Sequence, residues 1–331
     1  MLLIFSNRRS DFLKVVDLFS GCGGMSLGFQ NAGFEIVSAF ENWDEAVSVY
    51  NANFKHPCVN LDLSQVEDYS VFKQLNPEII IGGPPCQDYS SSGNRIAKDN
   101  ANLTTDFANI VVNVKPKFFL MENVDQIKKY DVYDKAVNIF KSAGYGLTSK
   151  ILDASLCGVP QKRKRFFLFG EFNGTDDSFL PFLEKNLSKK PMTLRDYFGN
   201  SLGIEHYYRH PRNYNRRGVF SIDEPSPTIR GVNRPVPSGY PGHHNDTAPV
   251  TEVRPLTTLE RSYVQTFPAY FDFLSISKTN LEQMIGNAVP VKMAEYVANA
   301  INEYVKNKNS LNEALKQDKQ MNMFEFEVIN I

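Results

Sequence analysis

Between residues 14 and 170 the chain switches repeatedly between two hydrophobic periodicities, and this alternation restricts its fold more than any other feature. Short β-branched and aromatic runs stand at Val15-Val16-Asp17-Leu18-Phe19, Glu35-Ile36-Val37-Ser38-Ala39-Phe40, Glu78-Ile79-Ile80-Ile81, Phe118-Phe119-Leu120-Met121 and Phe166-Phe167-Leu168-Phe169. Helical patterns fill intervals at residues 25–32, 43–53, 105–114 and 134–143. Strands alternating with helices pack as a doubly wound, mainly parallel sheet. The runs lack the polar alternation of a half-exposed strand, which fits burial on both faces. An α/β fold is therefore expected, and 331 residues leave room for a second, smaller unit.

That second unit shows as a change of composition. From about 191 to 255 the chain is rich in Pro, Gly, Asn, Arg and Tyr, and it holds His206, His210, His243 and His244. Residues 206–234 carry Arg209, Arg212, Arg216, Arg217, Arg230 and Arg234 against Asp223 and Glu224, a local charge of +4 in a chain whose total is −1. A uniformly basic coat is excluded, so any surface facing a polyanion must be local. Helical patterning returns at 257–266 and 291–306, and the polar tail beyond 306 carries no site signal.

With 42% apolar and 22% charged residues the chain can bury a core. No apolar run approaches the roughly 18 residues of a membrane span, and the apolar start Met1-Leu2-Leu3-Ile4-Phe5 is too short for a signal peptide. Cys22, Cys58, Cys86 and Cys157 form neither CxxC pairs nor a dense framework, which points to free thiols in a reducing, cytoplasmic setting. The histidines lack cysteine or acidic partners at ligand spacing, so no metal site is expected.

Two loops carry chemistry. Asp17-Leu18-Phe19-Ser20-Gly21-Cys22-Gly23-Gly24-Met25 follows the first strand and opens a helix, and Glu41 ends the next strand. Glycines permit a tight turn and close backbone approach to a ligand, and a carboxylate at that place can accept ribose hydroxyls. The spacing stops short of GxGxxG, which weighs against a dinucleotide. A nucleoside cofactor and a plain strand-to-helix turn both remain open on this loop alone. Gly82-Gly83-Pro84-Pro85-Cys86-Gln87 leaves the fourth strand, where open sheets place ligands. The two prolines restrict the backbone just before the thiol. Alone, Cys86 reads equally as a buried small hydrophobe.

These motifs occur in order with Glu122-Asn123-Val124, Gln161-Lys162-Arg163-Lys164-Arg165 and Gly286-Asn287-Ala288-Val289-Pro290. Together they resemble the DNA (cytosine-5)-methyltransferases of bacterial restriction–modification systems, from about residue 14 to 304. The resemblance implies a class I S-adenosylmethionine-dependent methyltransferase fold with an inserted target-recognition domain. The catalytic domain would comprise residues 1–190 and 273–331, and the recognition domain residues 191–272.

Cytosine C5 is a poor nucleophile until a thiolate adds at C6. The resemblance implies that Cys86 is that thiolate and that Glu122 meets the charge developing at N3. Arg163 and Arg165, alternate residues on one face of a strand, would hold Glu122, the base O2 and nearby phosphate. It also implies S-adenosyl-L-methionine as cofactor. Phe19 would pack on adenine and Gly21, Gly23, Gly24 and Met25 would line the methionine end. Glu41 would take the ribose, Asp62 the adenine amino edge, Pro84 and Leu103 the walls, and Asn287 with Ala288 would close the pocket. Trp43, one place later than the family pattern has its aromatic residue, would stack on adenine through a shifted turn. The family's Arg-Gly is replaced here by Asn100-Ala101.

A cytosine in duplex DNA must be flipped out before Cys86 can reach it. Gln87, Ser90 and Ser92 are candidates to close on the DNA, with Gly82, Gly83 and Gly93 letting their loop move. Arg209, Arg212, Arg230 and Arg234 are candidates to read bases or hold phosphates. The expected partner is double-stranded DNA with a short specific target, modified by a monomer that shields host DNA from a matching restriction endonuclease. Cytosine-5 methylation of tRNA, a non-catalytic DNA-binding regulator and a nicotinamide dehydrogenase are the alternatives.

Overall fold

The protein is described here from a computed structural model covering residues 12–85 and 103–329, with residues 312–329 as backbone alone. Its centre is a seven-stranded sheet in the order β3-β2-β1-β4-β5-β8-β6. The strands are β1 (Lys14–Leu18), β2 (Glu35–Glu41), β3 (Cys58–Asn60), β4 (Ile79–Gly82), β5 (Phe118–Val124), β6 (Tyr145–Asp153) and β8 (Lys164–Phe172), with the two-residue β7 (Gln161–Lys162) just before β8. The first five pair in parallel, while β8 runs antiparallel to both β5 and β6. The mainly parallel expectation holds, and the antiparallel β8 follows from its short return from β6, which leaves no helix for a parallel crossover.

Strand alternation explains why the runs are apolar throughout. Val15, Ile79, Ile81, Phe118, Leu120, Phe167 and Phe169 are buried on one face. Val16, Ile80, Phe119, Met121, Phe166 and Leu168 are buried on the other. Helices α1 (Gly24–Asn31), α6 (Leu180–Lys185) and α10 (Val291–Ile329) cover the first face; α3 (Ser70–Gln74), α4 (Leu103–Val114) and α5 (Asp131–Ser142) cover the second. A sheet buried on both faces needs no polar alternation. The backbone of α10 stays helical well past residue 306, where the sequence shows only a polar tail.

The remaining elements are short. They are α2 (Asp44–Asn53), α7 (Leu194–Phe198), β9 (His206–Tyr208), β10 (Val219–Ser221), β11 (Ser226–Pro227), α8 (Thr258–Val264) and α9 (Lys278–Asn287). Capping boxes at Thr193 with Asp196 and Thr257 with Glu260 start α7 and α8. β11 pairs with β7 in a separate two-stranded sheet, tying the irregular region to the segment that leads into β8. Leu194, Tyr207, Phe220, Ile229 and Phe267 share one cluster with Cys22, Leu27, Val49 and Tyr50, while Tyr208, Val219 and Tyr240 form a small cluster within the irregular region itself.

Candidate active site

From β1 the chain steps outward through β2 and β3 in one direction, and from β4 through β5 in the other. The switch between β1 and β4 opens a crevice at the strand C-termini, where open α/β sheets bind ligands. The glycine loop leaves β1 there, and Gly83-Pro84-Pro85 leaves β4.

The glycine loop is shaped by backbone geometry. Phe19, Gly21 and Gly23 have φ of 57°, 53° and 94°. At Gly23 a side chain would also meet the rings of Tyr50 and Phe54. The Gly21 N–H donates to Glu41 Oε2 at 2.8 Å, while Glu41 Oε1 accepts from the backbone of Asn42 at 2.9 Å and Trp43 at 3.0 Å. Glu41 thus fastens the loop after β1 to the start of α2. A carboxylate has about four acceptor positions, so these bonds leave capacity for hydroxyl donors. Trp43 is half-buried against the cluster that includes Ala46, and Phe19 is half-buried beside Leu18 and Phe40. Met25 is buried and Leu103 opens α4. Asp62 is exposed and caps a short turn through Ser64.

The turn after α9 meets this loop from the other side. A Cβ on Gly24 would collide with the Val289 carbonyl. Asn287 is exposed and Ala288 half-buried at that junction.

Below the loop lies a buried chain that sequence reasoning missed. Ser26 Oγ donates to Asp17 Oδ2 at 2.7 Å, the Tyr50 hydroxyl donates to Ser26 Oγ at 2.6 Å, and Tyr50 lies 2.7 Å from His56 Nε2. Burial pushes the Asp17 carboxyl up to about 7, with Glu41 adding to the rise and Ser26 opposing it. The same burial lowers His56 to about 4. An acid within an otherwise apolar strand was the available signal.

On β5, Glu122 is 8% exposed. Its Oε1 is 2.9 Å from Arg165 Nε, and a Cβ on Gly83 would stand 3.1 Å from its Oε2. Burial raises its pKa, opposed by Arg165 and Arg163. Asn123 Nδ2 donates to the Pro84 carbonyl at 3.0 Å, locking the segment after β4 over β5. Cys86 follows Pro85 directly; Cys86, Gln87, Ser90 and Ser92, with Gly93, Asn100 and Ala101, lie outside the described residues.

Arg163 departs from the expectation. It was expected to share Glu122 with Arg165 on one strand face, but it sits in the break between β7 and β8 and is 1% exposed. Its Nη1 donates to Ile229 O at 2.9 Å, and its Nη2 donates to Gly286 O at 2.9 Å and Ala288 O at 3.2 Å. The break turns the side chain away from the position that strict strand alternation would give it.

The basic segment forms two clefts, of about 800 and 610 Å³, that share Arg209, Arg212 and Arg230. Arg212, Arg216 and Arg234 are exposed, while Arg209 and Arg230 are half-buried. Burial lowers Arg230, and Arg212, Arg216 and Arg234 lower it further. Arg209 falls to about 9, through burial first and Arg230 next. Arg217, by contrast, pairs with Glu224. Cations that depress one another in a cleft suit a polyanion. Among the described residues no group of His, Cys, Asp and Glu is arranged to hold a metal, and no helix is long and apolar enough to cross a membrane.

The profile of the C-5 cytosine-specific DNA methylases matches residues 13–303. The chain belongs to that family. It is a DNA (cytosine-5)-methyltransferase of the type found in bacterial restriction–modification systems. It is 60% identical over 298 residues to the type II methyltransferase M.HindV of Haemophilus influenzae, covering 89% of this chain and 98% of that protein. It is 51% identical over 295 residues to M.HgiDI of Herpetosiphon aurantiacus, covering 88% and 95%. Among solved structures, S. pombe Dnmt2 methyltransferase superposes with a TM-score of 0.67 at 20% identity, covering 88% of this chain and 99% of that one. A putative DNA modification methyltransferase from an E. coli prophage gives 0.65 at 24%, covering 89% and 99%. Both likenesses concern the fold.

Proposed function

We propose that this methyltransferase flips a specific cytosine out of duplex DNA, attacks its C6 with Cys86 and uses S-adenosyl-L-methionine as methyl donor. The observation that carries the reading is a buried carboxyl, Glu122, held by Arg165 beside the segment that delivers Cys86. Burial raises the Glu122 pKa, which favours the protonated form needed at N3 as electron density moves onto the ring. Arg165 fixes its orientation. The bond from Cys86 to C6 makes C5 nucleophilic; after C5 is alkylated it loses its proton, and the thiolate leaves.

The glycine loop fits the proposed cofactor. A Cβ on Gly21 would meet nothing within 4 Å, so the loop has an open side, while Gly23 and Gly24 are packed against the protein. Gly21, Gly23, Gly24 and Met25 would hold the methionine end, Glu41 the ribose, and Phe19, Trp43 and Asp62 the adenine. Pro84, Leu103, Asn287 and Ala288 would complete the pocket. Bound there, the sulfonium supplies an electrophilic methyl group. Residues 191–272 would read the target, with Arg212, Arg230 and Arg234 toward the DNA, Arg209 bracing the Thr228 carbonyl beneath them, and Gln87, Ser90 and Ser92 closing on it. We further propose a cytoplasmic monomer that protects DNA from a matching endonuclease.

With S-adenosyl-L-methionine supplied, a duplex with 5-fluorocytosine at the target should become covalently joined to Cys86, because once C5 is methylated the fluorine cannot depart as a proton does. Mass spectrometry of the digested adduct locates the link. Cys86→Ser should form no adduct and methylate nothing, yet bind duplex within a few-fold of wild type. Turnover like that of wild type in Cys86→Ser would refute the nucleophile.

A further inference from the structure

Three consecutive carbonyls of the recognition segment are gripped by three arginines from different parts of the chain. Arg209 Nη2 donates to Thr228 O at 2.9 Å, Arg163 Nη1 to Ile229 O at 2.9 Å, and Arg261 Nη2 to Arg230 O. Arg261 is itself held by Glu282, which also accepts from Thr258 Oγ1 at 2.7 Å. The Ile229 N–H donates to Gln161 Oε1 at 2.8 Å. Outside the two-residue β11 this stretch has no ladder to satisfy its backbone, so buried side chains supply the partners.

Of these arginines, Arg163 reaches furthest. The guanidinium that holds Ile229 also holds Gly286 and Ala288, in the turn that meets the glycine loop. Gln265 reinforces the arrangement: its Nε2 donates to Ile285 O at 2.6 Å and Ala288 O at 3.0 Å, and its Oε1 accepts from Gln161 Nε2 at 2.6 Å. Contact is close enough that a Cβ on Gly286 would strike the backbone of Arg230 and Gly231. A planar guanidinium fixes the relative positions of its acceptors, which an ammonium on a flexible stem does not. Arg163 is also two residues from Arg165, which orients Glu122.

We propose that Arg163 is a positioning residue, whose guanidinium locks the DNA-reading segment at Ile229 to the cofactor-closing turn at Gly286–Ala288. It touches backbone at both sites and sets them in register with the catalytic carboxyl. The inference rests on the reading of residues 228–234 as DNA-facing and of Asn287–Ala288 as cofactor-facing.

The test measures two affinities and one rate. In Arg163→Lys, the dissociation constants for S-adenosylhomocysteine and for target duplex should each rise about tenfold, the scale of one lost hydrogen bond to a charged donor. Adduct formation with the fluorocytosine duplex, at saturating duplex and S-adenosyl-L-methionine, should slow by less than about threefold. Arg163→Met, which donates nothing, should be worse on both affinities. Arg165→Lys should show the reverse pattern, with adduct formation slowed and both affinities close to wild type. A loss of folding alone would lower the active fraction and leave the affinities of the folded remainder unchanged. Gln265→Met spares Arg163 and loosens the turn, so it should weaken S-adenosylhomocysteine more than duplex, and it decides the matter if Arg163→Lys does not fold. Wild-type affinities in folded Arg163→Lys, with slow adduct formation, would make Arg163 a catalytic residue and overturn the proposal, as would an unchanged S-adenosylhomocysteine affinity in Gln265→Met. If wild-type protein forms no adduct, the reading of the site itself fails instead.

Discussion

The C-terminal edge of the sheet and the basic segment proposed to read DNA hold their functional groups by opposite means. At the sheet edge, parallel strands satisfy one another's backbone, and side chains at their ends are left for chemistry: Glu41 at the end of β2, Glu122 on β5, the glycine loop after β1. In the basic segment regular strand pairing is confined to strands of two or three residues. There the backbone takes its order from buried arginines and glutamines, and only part of the basic side-chain set is left exposed. A sheet tolerates change in what it displays, because ladder hydrogen bonds do not depend on side-chain identity. A segment held by side chains spends polar groups on its own geometry, so an arginine there is as often a brace as a contact.

That contrast can be broken at several points. The largest effect is expected at Glu122. Glu122→Gln keeps the shape but cannot deliver a proton, so adduct formation should slow by about 10²–10³-fold while S-adenosylhomocysteine affinity stays within a few-fold. Pre-steady-state trapping measures the first and calorimetry the second; a larger loss in cofactor affinity than in rate would make Glu122 a brace like Arg163. The pH profile carries a sign as well. Because burial raises the Glu122 pKa, its acid form persists to higher pH than an ordinary glutamate's, and the adduct rate should fall on the alkaline side of that raised value.

A smaller effect distinguishes contacts from braces. Exposed Arg212 and Arg234 should act as phosphate or base contacts, each worth a few-fold in duplex affinity when changed to alanine. For a phosphate contact, the slope of log affinity against log salt should drop by about 1. Arg209, whose guanidinium holds the Thr228 carbonyl, should instead lose affinity on substitution by alanine with the slope nearly unchanged. Binding titrations between about 50 and 200 mM salt separate the two cases.

The smallest effect concerns stability. Asp17 is lifted from 3.8 to about 7 in the folded chain. The folded state therefore holds this proton more tightly than the unfolded one. The stability contributed by the neutral acid is complete below about pH 4 and is lost as pH rises through about 7. Asp17→Asn should flatten that decline, and denaturant titrations at pH 5 and 8 on both proteins measure it. An equal decline in the variant would show that another group carries the proton.

Much of the sheet was legible because its signals are local. The β-rich runs and the helical patterns between them fall within a few residues of β1, β2, β4, β5, β8 and of α1, α2, α4 and α5. The glycine loop and Glu41 meet in space because successive parallel strands bring their C-termini to one edge. The antiparallel course of β8, the helical continuation of α10 past residue 306 and the role of Arg163 were not legible. The role of Arg163 depends on partners 66, 123 and 125 positions away in sequence. Motif spacing suggested two equivalent arginines; a break between β7 and β8 made them unequal.

The sequence by itself determined the alternation of strands and helices, the order of the motifs and hence the kind of chemistry, since these follow from period, glycine placement and residue type along short stretches. Tertiary structure alone decided which charges face outward and which are consumed inside. Arg165 meets a carboxyl and Arg163 meets three carbonyls because burial leaves a cation stable only where the surrounding chain offers acceptors, and those acceptors come from segments that only folding brings together.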